Sequence, residues 1–289
     1  MKPITVDAHH HLWRLGGALD YGWLDQPGLE PIRRTFSPED LLPRLQDEAI
    51  DRSIFVQTLA DLDETRWALE QTTLYPFIAG VVGWVDLRSH DCRRQVEEFR
   101  QHPRFVGVRH VVHDEPDVDF IVRPETIRGL RVLESLSIPY DLLLRVEHLH
   151  HVPTLAKNLP NLPMVIDHLA KPFIKARRIE GWLELIREAS RCPNVSCKLS
   201  GMVTEADHRS WTVEDLRPYV ETALDLFGPA RLMFGSDWPV CELAASYGQV
   251  HRSLRGLLQD LSASENAAIF GMTAAKFYQL PADESFEVA

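Results

Sequence analysis

Cysteine is scarce in this chain and carries no pattern. Its four cysteines (Cys92, Cys192, Cys197 and Cys241) include no CxxC spacing, so reduced thiols are the expectation rather than a disulfide framework. No apolar run approaches the length of a membrane-spanning helix. Met1-Lys2-Pro3-Ile4-Thr5 lacks the long apolar core of a secretory signal, which sets a cytoplasmic protein as the expectation. Neither GxGxxG nor GxxxxGK[ST] occurs, removing the usual reason to expect a Rossmann or P-loop fold. Basic charge is in deficit as well. With 31 Lys and Arg against 42 Asp and Glu, the formal net charge of −11 argues against nucleic acid or an anionic membrane as the main partner. An acidic body can still hold a local basic pocket, so an anionic small substrate stays open. No linker, low-complexity tract or internal repeat interrupts residues 1–289, which therefore read as one domain.

What is present is ordinary globular composition, 45% hydrophobic and 25% charged, arranged as short apolar runs separated by amphipathic stretches. Eight runs read as strands: Ile4–Val6, Ser53–Thr58, Ile78–Val85, Phe105–His110, Tyr140–Leu144, Met164–Asp167, Val195–Leu199 and Leu232–Gly235. Helical patterns lie between them, at Pro38–Ala49, Thr65–Thr73, Cys92–Gln101, Pro124–Leu136, Val152–Asn158, Gly181–Ser190 and Val213–Phe227. Strands alternating with helices imply a parallel sheet, and eight such units over this length fit a (β/α)8 TIM barrel. Ser37-Pro38-Glu39-Asp40 and Thr212-Val213-Glu214-Asp215 mark helix starts, each with a hydroxyl cap and acids in the first turn. Tyr21–Arg34 is too long for a plain turn and is expected to fold over the barrel mouth. Ser262–Leu280 reads as closing helices, with Ser262 and Glu265 spaced as a capping box, and 281–289 as a frayed tail.

Reactive side chains of such a barrel sit at the C-terminal ends of its strands. The first strand runs into Val6-Asp7-Ala8-His9-His10-His11-Leu12-Trp13. His9 and His11 are two residues apart and share one side of an extended chain, while His10 faces away. Imidazole is both a good metal ligand and a proton carrier near neutral pH, so two of them aimed at one point indicate an active site. Strand 4 delivers Arg109, with His110 and His113 beyond it; strand 6 ends in Asp167-His168; strand 7 ends in Lys198-Leu199-Ser200-Gly201; strand 8 ends in Ser236-Asp237-Trp238-Pro239. Each has a plainer alternative. Asp237 is suited to cap a helix, but Trp238-Pro239 does not begin a good one. His168 fits a core histidine, Arg109 a structural ion pair, and Lys198 an ordinary solvated strand end. His148, His150 and His151, after strand 5, read as surface residues rather than ligands.

Taken together, Asp7-Ala8-His9-His10-His11-Leu12-Trp13, Trp23-Leu24-Asp25, Gly107-Val108-Arg109, Ile166-Asp167-His168-Leu169-Ala170-Lys171-Pro172, Lys198-Leu199-Ser200-Gly201 and Phe234-Gly235-Ser236-Asp237-Trp238-Pro239 resemble the amidohydrolase superfamily over nearly the whole chain. The resemblance is to its branch of sugar-lactone and muconolactone hydrolases, and within that branch to L-fuconolactonases. Metal-dependent members take HxH from strand 1, a histidine from strand 5, often another from strand 6, an aspartate from strand 8, and in some cases a carbamylated lysine or a glutamate from strand 4. Here strand 4 offers Arg109 instead, a cation that repels a second metal, and strand 5 (Tyr140-Asp141-Leu142-Leu143-Leu144) holds no histidine. The resemblance therefore implies a site that needs no cofactor, the alternative being one Zn²⁺ held by His9, His11, His168 and Asp237.

The activity so implied is hydrolysis of a sugar lactone by a monomer or homodimer. Asp237 would take a proton from water, His9, His11 and His168 would polarise the carbonyl, Arg109 and Lys198 would hold hydroxyls or add positive field, and Trp23 and Trp238 would offer flat faces to the sugar ring. The rival readings are a zinc-dependent hydrolase or decarboxylase of the same superfamily, acting on another lactone or an aromatic acid, and a non-catalytic sugar-binding barrel.

Overall fold

The computed structural model describes residues 3–280, so the tail expected at 281–289 lies outside the described residues. Eight strands form one parallel sheet in sequential order: β1 (Val6–His10), β2 (Arg52–Val56), β3 (Ile78–Gly83), β4 (Phe105–Val111), β5 (Tyr140–Leu143), β6 (Met164–Ile166), β7 (Val195–Leu199) and β8 (Leu232–Phe234). The sheet closes on itself between the segments that follow β8 and β1. There the Asp237 amide donates to His9 O at 2.8 Å and the His11 amide to Trp238 O at 2.7 Å. This is the (β/α)8 TIM barrel that the strand–helix alternation predicts, and each expected strand falls within two residues of an observed one at one end or both.

The strands are nearly continuous runs of Val, Ile, Leu and Phe because both of their faces are covered, as parallel strands require. One apolar cluster, including Phe55, Val81, Val108, Leu142 and Phe234, packs against the helices; a second gathers Val6, Ala8, Ile54, Val56, Val82 and Met233 against Tyr278 and Leu280. The outer helices are α1 (Pro38–Asp47), α2 (Leu62–Leu74), α3 (Cys92–Phe99), α4 (Pro124–Leu136), α5 (Val152–Asn158), α6 (Trp182–Ser190), α7 (Met202–Glu205), α8 (Val213–Phe227), α9 (Tyr247–Leu257), α10 (Ala263–Ala267) and α11 (Thr273–Phe277). Their starts are held as the sequence indicates. The Ser37 amide donates to Asp40 at 2.9 Å, the Thr212 amide to Asp215 at 2.8 Å and the Ser262 amide to Glu265 at 2.9 Å. Among the described residues, no helix is long and apolar enough to cross a membrane.

Tyr21–Arg34 folds as two short 3₁₀ turns, Gly22–Asp25 and Glu30–Ile32, in the connection after β1. Trp23 meets Trp13 edge to face, with ring centroids 5.2 Å apart, and the Trp13 indole donates to Arg34 O at 2.7 Å. The segment is thus anchored by buried aromatics at the strand-end face of the barrel, as a covering loop there should be.

Candidate active site

Four side chains from three strand ends converge at that face. His9 and His11 bring their Nε2 atoms to 3.2 Å of each other. Asp237, just beyond β8, places one carboxylate oxygen 3.3 Å from His11 Nε2 and 3.8 Å from the Nε2 atoms of both His9 and His168. All four residues are buried. Alternation along β1 accounts for the His9–His11 pair but not for Asp7, because the register with β2 shifts between Asp7 and His10. Asp7 turns elsewhere and clamps the end of β8. It accepts from Ser236 Oγ at 2.6 Å, from the Ser236 amide at 2.8 Å and from Tyr247 Oη at 3.1 Å, while burial pushes its carboxyl up to about 6.

His168 reaches the site through an unusual backbone. Residues 168–171 all take positive φ, between 53° and 58°. Left-handed non-glycine residues cost of order 1 kcal/mol each and persist only where their surroundings hold them. The Trp182 indole donating to Leu169 O (2.7 Å) and the Lys171–Glu205 ion pair (2.8 Å) provide that hold. The ring of His168 lies over Gly201 (φ +62°), where an added Cβ would come within 2.6 Å of the imidazole. Gly201→Ala is therefore expected to displace His168, costing about 1–3 kcal/mol of stability and at least tenfold in kcat; thermal unfolding and steady-state kinetics check it.

Hydrogen bonds restrict the ring protons. The Val56 carbonyl, 2.7 Å from His11 Nδ1, can only accept, so that nitrogen carries a proton. His168 Nδ1 pairs with Ser200 Oγ at 2.8 Å, leaving Nε2 toward Asp237. His9 Nδ1 faces the Lys198 ammonium at 3.2 Å, which donates to it and leaves Nε2–H to donate to His11. Burial, reinforced by Lys198, holds His9 well below the usual histidine range, so it is neutral at pH 7. Burial also pushes His168 down to about 4. Burial alone would raise Asp237, but His168, with His11 and His9, outweighs it and holds the carboxyl well below its ordinary value.

Beneath the histidines lies a buried charge network. The Lys198 ammonium contacts Asp141 (2.6 Å) and Asp167 (3.0 Å), and the Arg109 guanidinium contacts Asp167 (3.1 Å), His9 Nε2 (3.3 Å) and the Gln57 carbonyl. Tyr278 donates to Asp141 from below, at 2.8 Å. Burial would raise Asp167, but Lys198, His9 and Arg109 hold it well below the usual range; Asp141 is pushed up to about 6 by burial.

The structure thus brings His9, His11, His168 and Asp237 together with Arg109 at their base. Three expectations need correction. Trp238 is fully buried, edge-on to Phe36 with its indole bonded to Glu242 at 2.8 Å, so it offers no face to a sugar ring. Lys198 is likewise fully buried behind His9; it holds carboxylates rather than substrate hydroxyls, and only its positive field reaches the site. His148 and His151 are also buried, not surface residues. His110 turns away to Glu115 at 2.7 Å. Trp23 remains half-buried at the mouth with an indole N–H that no protein atom accepts. Asp141 and Asp167 were missed as network members, although Asp167 adjoins His168 and Asp141 stands on the strand where a histidine was sought.

His9, His168 and Asp237 each present a ligand atom within 4.8 Å of the others, with His11 alongside, a nitrogen and oxygen donor set that suits one zinc ion. Two fixed cations oppose it, since Arg109 and Lys198 lie 3.3 and 3.2 Å from the two ring nitrogens of His9.

Comparison with known proteins agrees with this geometry. The amidohydrolase family profile matches residues 6–280. The chain is 39% identical to an L-fucono-1,5-lactonase of Burkholderia multivorans over 292 residues, covering 97% of this chain and 98% of the relative. It is 36% identical to an L-fucono-1,5-lactonase of Burkholderia ambifaria over 279 residues, 95% of each chain. A crystal structure of a B. multivorans amidohydrolase with bound zinc superimposes with a TM-score of 0.91 at 37% identity, covering 96% of this chain and 100% of that one. A barrel with histidines at the end of its first strand, an aspartate after its last, and a family match running from β1 to the closing helices leaves one assignment: this chain belongs to the amidohydrolase family.

Proposed function

We propose that this chain hydrolyses sugar lactones, L-fucono-1,5-lactone foremost, to the open-chain sugar acid. The observation that carries the reading is Asp237, a carboxylate kept ionised among three histidines at the mouth of a barrel that has two L-fucono-1,5-lactonases among its near full-length relatives. Asp237 takes a proton from water as the water oxygen bonds to the lactone carbonyl carbon. Donor groups of His168 and Arg109 stabilise the oxyanion, while His11, its proton held by the Val56 carbonyl, helps to place Asp237. When the carbon–ring oxygen bond breaks, Asp237 returns its proton to the leaving alkoxide, yielding the hydroxy acid. Lys198 acts through His9, fixing its tautomer, and Trp23 meets the sugar ring. Buried polar atoms without protein partners on segments after β1, β2 and β4 (Trp23 Nε1, Tyr21 Oη, Gln57 Oε1 and His113 Nδ1) favour a polyhydroxylated substrate, whose hydroxyls can satisfy them.

No metal is required in this reading. A zinc ion on His9, His168 and Asp237 would supply Lewis-acid polarisation of the carbonyl, and the zinc-containing relative keeps that second reading in view. Arg109 already provides positive charge next to His9, where such an ion would have to sit.

A panel of lactones, followed by acid release in a pH indicator, tests the substrate class. L-Fucono- and L-galactono-lactones are expected to turn over at least tenfold faster, in kcat/KM, than simple aliphatic lactones lacking hydroxyls. Equal rates on both would remove the sugar from the proposal.

A further inference from the structure

A second cluster of metal-binding side chains lies on the barrel rim, on different elements from those that carry Asp237. Asp119 immediately precedes a 3₁₀ turn (Phe120–Val122) in the connection after β4, and His150 and His151 end the 3₁₀ turn Val146–His151 after β5. One ligand atom from each of the three lies within 4.8 Å of the others. His151 is 8% exposed, and its Nε2 stands 3.2 Å from an Asp119 oxygen in a geometry that forms no hydrogen bond. A buried nitrogen beside a carboxylate oxygen, with no proton shared between them, is the arrangement that a cation bound by both satisfies.

His150 supplies a complementary feature. Its Nδ1 donates to the Glu147 carbonyl at 2.6 Å; a carbonyl only accepts, so Nε2 of the neutral ring is bare and free to ligate. The two imidazoles lie side by side, 3.8 Å apart between centroids, so both can turn a ring nitrogen toward one ion. Competing groups are turned aside. Arg123 spends its guanidinium on Asp117 (2.6 and 3.0 Å) and only approaches the other Asp119 oxygen, at 3.6 Å, while His148 Nδ1 accepts the Arg145 amide at 3.1 Å.

We infer that Asp119, His150 and His151 bind a single divalent transition-metal ion of the zinc class, tying the connection after β4 to the turn after β5. Two imidazoles and one carboxylate, with water completing the shell, match the ligand preferences of such an ion. The site is independent of the Asp237 chemistry. Arg145, Val146 and Glu147, in or next to the same turn, line a cavity of about 1000 Å³ together with Lys171, so an ion here stiffens one wall of the barrel mouth.

The test is calorimetric titration of metal-stripped protein with zinc chloride, using wild type, Asp237→Asn, His150→Ala and Asp119→Asn. His150 is exposed, so its replacement leaves the core intact. The expected result is a zinc-binding event kept by Asp237→Asn and weakened at least about tenfold in both rim variants, with zinc raising the Tm of Asp237→Asn but not of His150→Ala. Zinc binding and Tm shifts unchanged in both rim variants, or no zinc bound by Asp237→Asn at millimolar zinc, would overturn the inference.

Discussion

Asp237→Asn is expected to lower kcat for sugar-lactone hydrolysis by about 10²–10⁴-fold, with KM changed less than threefold. The amide keeps the size of the carboxylate but cannot accept the proton of the attacking water. The three imidazoles around it retain their own anchors: Val56 O for His11, Ser200 for His168 and Lys198 for His9. The effect should therefore fall on the chemical step and not on folding, with Tm close to wild type. The wild-type pH profile carries the same information. A base held well below its ordinary value stays ionised throughout the neutral range, and His168, pushed down to about 4, stays neutral there. Because both groups protonate only in acid, kcat/KM should be flat between roughly pH 5 and 8 and fall only below that range. A variant keeping more than a tenth of wild-type kcat would exclude Asp237 as the base.

Lys198→Met should have the largest effect on stability, a loss of about 3–5 kcal/mol, the usual result of stripping one partner from a buried ion pair. Lys198 is fully buried and is the near counter-ion of two carboxylates that no water reaches, Asp141 at 2.6 Å and Asp167 at 3.0 Å. Arg109 continues to hold Asp167, so the uncompensated charge falls mainly on Asp141. Adding Asp141→Leu should then recover part of the loss, because replacing both members of a buried pair with apolar groups is commonly near neutral. Denaturant unfolding of both single variants and the double variant gives the coupling directly. A loss below 1 kcal/mol for Lys198→Met would mean the network is not held together by that ammonium.

The barrel was readable because parallel strands buried on both faces leave unmistakable apolar runs, and capping residues mark where the helices between them start. The central quartet was readable for a related reason: polar residues directly after such runs must lie at one end of the barrel. Depth was not. Lys198 and Arg109 both occupy the ends of strands in the sequence, yet one is sealed behind His9 while the other forms the floor of the site. Trp238 follows the catalytic aspartate but turns into the aromatic core against Phe36. Asp7 has the same parity as His9 and His11, yet beside the register shift in β1 it turns to Ser236 and Tyr247 instead of joining them. His168 and Asp167 are neighbours in sequence with different tasks, because the left-handed turn beginning at His168 swings its ring toward Asp237 while Asp167 stays with Lys198 and Arg109. Register shifts and left-handed turns are fixed by tertiary packing, and a local pattern of residue types does not encode them.

The central claim is that the protein's own donors, without a metal, support Asp237 in opening the lactone ring. It is tested most directly by measuring L-fucono-1,5-lactone hydrolysis on protein stripped of metal and verified by elemental analysis, before and after adding back zinc. The account predicts kcat/KM within about twofold of the untreated protein, unchanged by zinc and abolished by Asp237→Asn. Activity that disappears on stripping and returns in proportion to bound zinc would contradict it, making His9, His168 and Asp237 ligands of a catalytic ion.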